Sequence, residues 1–108
     1  MAVLDVVTPT AGGTVIGGGT GQIVVTISQT DLWNILNSCR VSIYTEKGER
    51  VWQGVGKFAS GEVSLTIVWP LNPGKYVVSA QGLSIWGFVN SEVKQEFTVA
   101  GPPPPKSI

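Results

Sequence analysis

The stretch Leu71-Asn72-Pro73-Gly74-Lys75-Tyr76 constrains this chain most, because it separates two runs of alternating apolar residues. Pro73 has a fixed φ and no N–H, so it cannot lie inside a sheet ladder. Gly74 tolerates the positive φ that a tight turn often needs. Together they stop one strand and start the next. In the run before them, residues 62–69, Val63, Leu65, Ile67 and Trp69 share one face at period two, with Ser64 and Thr66 on the other. In the run after them, residues 75–81, Tyr76, Val78 and Ala80 face one way. Tyr76 thus enters the core at the start of its strand. Its hydroxyl, once buried, needs a partner, and a backbone group of the preceding turn is close enough to supply it.

On those residues the motif Leu71-x-Pro73-Gly74-x-Tyr76 resembles the tyrosine corner of fibronectin type III and other immunoglobulin-like sandwiches. The motif covers six residues, and the strand rhythm around it extends the likeness over most of residues 3–99. The resemblance implies an all-β, antiparallel two-sheet immunoglobulin-like sandwich of about seven strands. It implies no particular activity, since the fold hosts many unrelated functions. Antibody-type domains carry two sheet-bridging cysteines and a core Trp on the third strand. Here Cys39 stands alone and residues 40–45 hold no Trp, so the likeness points to the disulfide-free branch.

A chain of 108 residues fits one domain, assigned to residues 1–100, with residues 101–108 as a proline-rich tail or linker. Charged residues are 13% of the chain, against roughly 25% in an ordinary globular protein, so Ser, Thr, Asn, Gln and Gly must supply the polar surface. Such a surface suits an extracellular or cell-surface module or a virion part, with the cytoplasm as the other compartment. Lys+Arg and Asp+Glu balance at 7 each, so no net field draws nucleic acid or anionic lipid. No apolar run reaches the ~20 residues of a membrane span, and residues 1–10 lack the pattern of a secretory signal. Neither nucleic acid nor membrane insertion is expected.

Along the chain, residues 3–7 read as a strand ended by Pro9, with its orientation open because both faces are apolar except at Asp5. Ala11-Gly12-Gly13 is a turn or bulge, after which Thr14-Val15-Ile16 resumes pairing. This resembles the split first strand of immunoglobulin-like edges. Gly17-Gly18-Gly19-Thr20-Gly21 is a flexible loop that fits no phosphate-binding pattern. Residues 22–28 form a strand with Ile23, Val25 and Ile27 inward. Residues 29–38 are an apolar connection in which Thr30 or Asp31 can cap one helical turn. Residues 40–45 point Val41 and Ile43 inward, turn at Glu46-Lys47-Gly48-Glu49, and return as residues 50–55. Residues 82–90 form a second apolar connection or a long hairpin tip. Residues 92–99 make the last strand, with Val93, Phe97 and Val99 inward. Gly101-Pro102-Pro103-Pro104-Pro105 reads as a stiff polyproline II tail.

The chain has no His, which removes the usual general base and most transition-metal sites. Cys39 has no His partner and reads as a small buried thiol. The carboxylates are scattered, and no calcium-loop pattern exists. The expectation is a non-enzyme without a cofactor or metal.

Topology brings the connections 29–38 and 82–90 to one end of such a sandwich, beside the start of the chain. Two readings of that end stand. Its side chains cap the core, or Trp33, Ile35, Leu36, Ile85, Trp86 and Phe88 form an exposed surface for a neighbouring domain or subunit. A carbohydrate-binding module is the alternative in a different class: Trp33, Trp52 and Trp86 would stack on sugar rings, near Asn34, Asn37 and Asn90. It requires Trp52 to face solvent on its sheet. Trp69 reads as core.

Overall fold

The structure is a computed structural model and describes residues 2–29 and 36–101. Eight strands are described in chain order: β1 (Ala2–Thr8), β2 (Thr14–Ile16), β3 (Thr20–Gln29), β4 (Leu36–Thr45), β5 (Arg50–Lys57), β6 (Glu62–Val68), β7 (Gly74–Ser84) and β8 (Val89–Ala100). They form two sheets, ordered β1-β3-β6 and β2-β8-β7-β4-β5. The expected capping turn at Thr30 or Asp31, the side chains of Trp33 and Ile35, and the tail at 102–108 lie outside the described residues.

The count exceeds the expected seven or so because the first strand splits between the sheets. β1 pairs antiparallel with β3. After Pro9 the chain crosses over, and β2 pairs parallel with β8, which is the one parallel pairing described. The crossover is bonded to its new sheet: Gly12 N donates to Glu96 O at 2.9 Å, and Thr98 N donates to Gly13 O at 2.8 Å. The orientation that the sequence left open is settled by burial. Leu4 and Val6 point inward, while Val3, Asp5 and Val7 point out.

The inner faces follow the period-two pattern. Ile23 and Val25, Val41 and Ile43, Val63 and Ile67, Val78 and Ala80, and Phe97 and Val99 form one buried cluster with Leu4, Val6 and Cys39. Burying each Val, Ile or Phe side chain fully contributes ~1.5–3 kcal/mol relative to exposure. Ile27, Leu65 and Val93 are half-buried at its margin.

The corner is built as the motif implies. Trp69 is buried just past β6, and Tyr76 enters the core at the third residue of β7. The Tyr76 hydroxyl donates to Asn72 O at 2.7 Å. Tyr76 and Trp69 flank Phe97, with ring centroids 5.9 Å and 5.6 Å from it. Tyr76→Phe keeps the ring and removes the hydrogen bond, so it should cost ~1 kcal/mol of unfolding free energy. Urea denaturation measures this, and a loss below ~0.3 kcal/mol would mean that the hydroxyl does not hold the turn.

Two side chains depart from the sequence expectation. Leu36 belongs to no exposed loop: it opens β4 opposite Ser84 and is buried, with its methyls over the bare backbone of Gly82. Trp52 does not face solvent on the sheet. It points inward and packs against the core, with its ring over Gly54. The outward residues of β5 are instead Val51, Gln53, Val55 and Lys57.

Candidate functional site

The end of the sandwich carrying the candidate residues is formed by the turn from β7 to β8. The two strands pair from Gly74↔Val99 to Gly82↔Ser91 and Leu83↔Val89, with a register shift at the last step. Ile85-Trp86-Gly87-Phe88 is left as a short loop, so residues 82–90 are a strand end and a compact tip. Leu36↔Ser84 and Ala2↔Gln29 place the starts of β4 and β1 at this end.

Ser84 organises the tip. Its N–H donates to Phe88 O at 3.0 Å, and its carbonyl accepts from Gly87 N at 2.9 Å. Its hydroxyl oxygen accepts from both Trp86 N and Phe88 N at 3.3 Å. Gly87 takes φ +83°, a conformation that a side chain resists. The loop's backbone is therefore largely satisfied within itself. Its apolar side chains cannot cover it and turn outward: Ile85 is 67%, Trp86 77% and Phe88 70% exposed. The core-capping reading of these three residues is set aside by that exposure.

No charge interrupts residues 82–91. The apolar zone stops at a polar row across three strands. Arg40 Nε donates to Gln81 Oε1 at 3.0 Å, and Gln81 Nε2 donates to Glu92 Oε2 at 2.7 Å. Lys94 Nζ stands 3.7 Å from Glu92 Oε1. The pairs Arg40↔Gln81 and Gln81↔Glu92 put this row just below the tip. The row is part-buried at Arg40–Gln81 and exposed at Gln81–Glu92, and it marks where the apolar tip gives way to a polar sheet face.

The tip joins Ile85, Trp86 and Phe88 and excludes two of the other candidates. Leu36 lies beneath it in the core, and Trp52 belongs to the interior of β5. Trp33, Ile35, Asn34 and the side chain of Asn90 lie outside the described residues. Asn37 is exposed at the start of β4. Sequence reading passed over Val89, which is 46% exposed at the base of the tip. It also passed over Ser84, whose role needs the loop's geometry to be seen.

Cys39 is buried, and burial pushes its thiol up to about 11 even though a backbone hydrogen bond from Gln81 pulls the other way. It therefore stays a neutral thiol at ordinary pH. Among the described residues, no three His, Cys, Asp or Glu side chains gather as metal ligands. A shallow depression lies at the opposite end of the sheet, lined by Glu46, Lys75, Tyr76, Val77 and Glu96.

No family model matches the chain. No curated protein matches it either. Among solved structures, the fibronectin(III)-like modules of Clostridium thermocellum CbhA superpose with a TM-score of 0.63 at 14% identity, over 92% of this chain and 98% of that one. At this identity the two chains share a fold. The chain thus has the fold of a fibronectin(III)-like β-sandwich.

Proposed function

We propose that the chain is a non-catalytic module of a larger surface, secreted or virion protein, and that it contacts a neighbouring domain or subunit through the β7–β8 tip. One observation carries the reading: Ile85, Trp86 and Phe88 project together from a tip whose backbone is tied to Ser84. A pre-organised loop loses little entropy on docking, and an aromatic anchor on it is the kind of residue that dominates interface energies. The low charge and the Ser/Thr-rich surface favour an extracellular setting. The balanced charge favours neither nucleic acid nor membrane insertion.

The carbohydrate reading keeps Trp86 but loses Trp52, whose ring packs against the core. Two experiments decide between the two. Trp86→Ala should weaken association with the neighbouring domain or subunit at least tenfold, as read by sedimentation, and polysaccharide affinity gels should not retard the native chain. Retardation that Trp86→Ala abolishes would replace the contact reading with the sugar-binding one.

A further inference from the structure

Among the described residues, each sheet ends in two strands that pair on one side only: β1 and β6 in one, β2 and β5 in the other. A bare edge invites a further strand, and proteins usually blunt it. Three of these four are blunted. β1 carries Asp5 and a register shift between Val6 and Thr8, with Pro9 just past its end. β2 is three residues long. β5 has Arg50 and Lys57 at its ends and a register shift opposite Ile43 and Tyr44. β6 has none of these devices. Its ladder with β3 runs unbroken from Thr20↔Val68 to Thr26↔Glu62, and its one charge, Glu62, is its first residue.

Hydrogen-bond parity shows which backbone groups of β6 are open. Trp69 N donates to Gly19 O at 2.9 Å, and Ile27 N donates to Gly61 O at 2.9 Å, one at each end of that ladder and both in its register. Bonding alternates along an antiparallel pair, so the odd-numbered residues of β6 bond to β3 and the even-numbered ones face away. Glu62 is occupied, since it exchanges two backbone bonds with Ala59 at 2.9 and 3.1 Å. That leaves the N–H and C=O groups of Ser64, Thr66 and Val68, with which no described residue pairs. Pro70, which has no N–H, ends the row. The side chains of the three residues are exposed.

We infer that this edge receives the β6 of a second copy, antiparallel about a two-fold axis through Thr66. The row is its own complement. With Thr66 opposite Thr66, Ser64 of each copy meets Val68 of the other, and every open N–H and C=O of the row is paired. A shift of two residues sets Ser64 against Pro70 in one direction, or Val68 against the occupied Glu62 in the other, so this register alone fills the row. Side chains agree with it. On the outer face Thr66 meets Thr66, a favourable cross-strand pair. On the inner face Leu65, half-buried in the single domain, gains cover from Ile67 of the second copy. Glu62 falls opposite Pro70 and stays clear of its counterpart. The contact is isologous and uses one edge per copy, so it closes as a dimer and joins the two three-stranded sheets into one. It shares no residue with the β7–β8 tip and does not depend on the tip-docking reading.

Charge complementation tests it. Thr66→Lys and Thr66→Glu each set like charges opposite one another on the axis. Thr66 is exposed, so both variants should fold, and urea midpoints equal to that of the native chain confirm it. By sedimentation the native chain should be a dimer that dissociates on dilution, and each variant should need at least tenfold higher concentration to dimerise. Mixed, the two should form a 1:1 dimer at the native concentration or below. Thr66→Pro, which removes a donor that faces away from β3, should dissociate the dimer too; if it also unfolds the domain, the lysine and glutamate variants carry the test. In the native dimer the amides of Ser64, Thr66 and Val68 should be protected from hydrogen exchange, and in the diluted monomer they should not. Trp86→Ala should leave the dimer intact. A native chain that stays monomeric to about 1 mM overturns the inference, as does a dimer indifferent to Thr66→Lys or a mixture that fails to pair. Dissociation by Trp86→Ala without dissociation by Thr66→Lys would move the contact to the tip: the edge inference falls and the tip-docking reading stands.

Discussion

Phe97→Ala should cost ~3–5 kcal/mol of unfolding free energy, the largest loss expected from any single truncation in this domain. Phe97 is the largest fully buried side chain among the described residues. It stands opposite Tyr76 across the β7–β8 pair, and its ring lies between those of Tyr76 and Trp69. Removing it opens a cavity where β6, β7 and β8 meet. Collapse is resisted from both sides. Tyr76 is held by its bond to Asn72 O, and Trp69 is anchored by its N–H to Gly19 O. A domain of this size holds only ~5–15 kcal/mol in total, so the variant should unfold at a much lower urea midpoint with an unchanged slope. Phe97→Leu, which refills most of the space, should recover a substantial part of the loss. A cost below ~1 kcal/mol for Phe97→Ala would mean that the aromatic cluster is not the centre of the core.

How much of this was legible in the sequence depended on whether a strand had one apolar face or two. In β6 the alternation is clear up to its end, in β7 it is clear from its start, and Pro73-Gly74 fixes where one run stops and the next begins. The inward residues and the hydroxyl's partner could therefore be read before any coordinates. β1 and β5 have apolar residues on both parities. In β5 the valines point to the wrong face, because the inward parity is Trp52, Gly54, Gly56, and two of its three members have no side chain to signal burial. The glycines let β5 approach β6: a Cβ on Gly56 would stand 2.9 Å from Val63 Cγ1. Trp52 fills the space over Gly54. Gln95 escaped notice for a related reason. It shares the inward parity of Phe97, and its amide bonds Val6 O at 3.0 Å and Pro9 O at 2.6 Å, tying β8 to the point where β1 leaves its sheet. No local pattern encodes such a long-range bond. At the tip, composition named Ile85, Trp86 and Phe88 but could not separate capping from display. That distinction comes from Ser84, which closes the loop so tightly that the core beneath is out of reach.

Gly21→Val should destabilise the domain by ~2–3 kcal/mol, and the loss should depend on Trp69. Gly21 lies in β3 opposite Ile67, and the indole of Trp69 occupies the space a side chain would need. A Cβ built there would fall 2.5 Å from Trp69 Nε1 and 2.8 Å from Cε2. The ring has no room to retreat, since it is buried and packs at 57° against Phe97. Overpacking therefore strains the corner and the aromatic cluster together. Trp69→Leu alone should also be costly, through lost contact with Phe97. In the double variant the smaller leucine makes room for the introduced valine, so the combined loss should fall short of the sum of the single losses by ~1–2 kcal/mol, a coupling expected only between residues in direct contact. Urea denaturation of the four chains measures it. Strict additivity would show that the glycine is there for β3's backbone geometry and not for the indole, and that Trp69 is held by Phe97 and its own backbone alone.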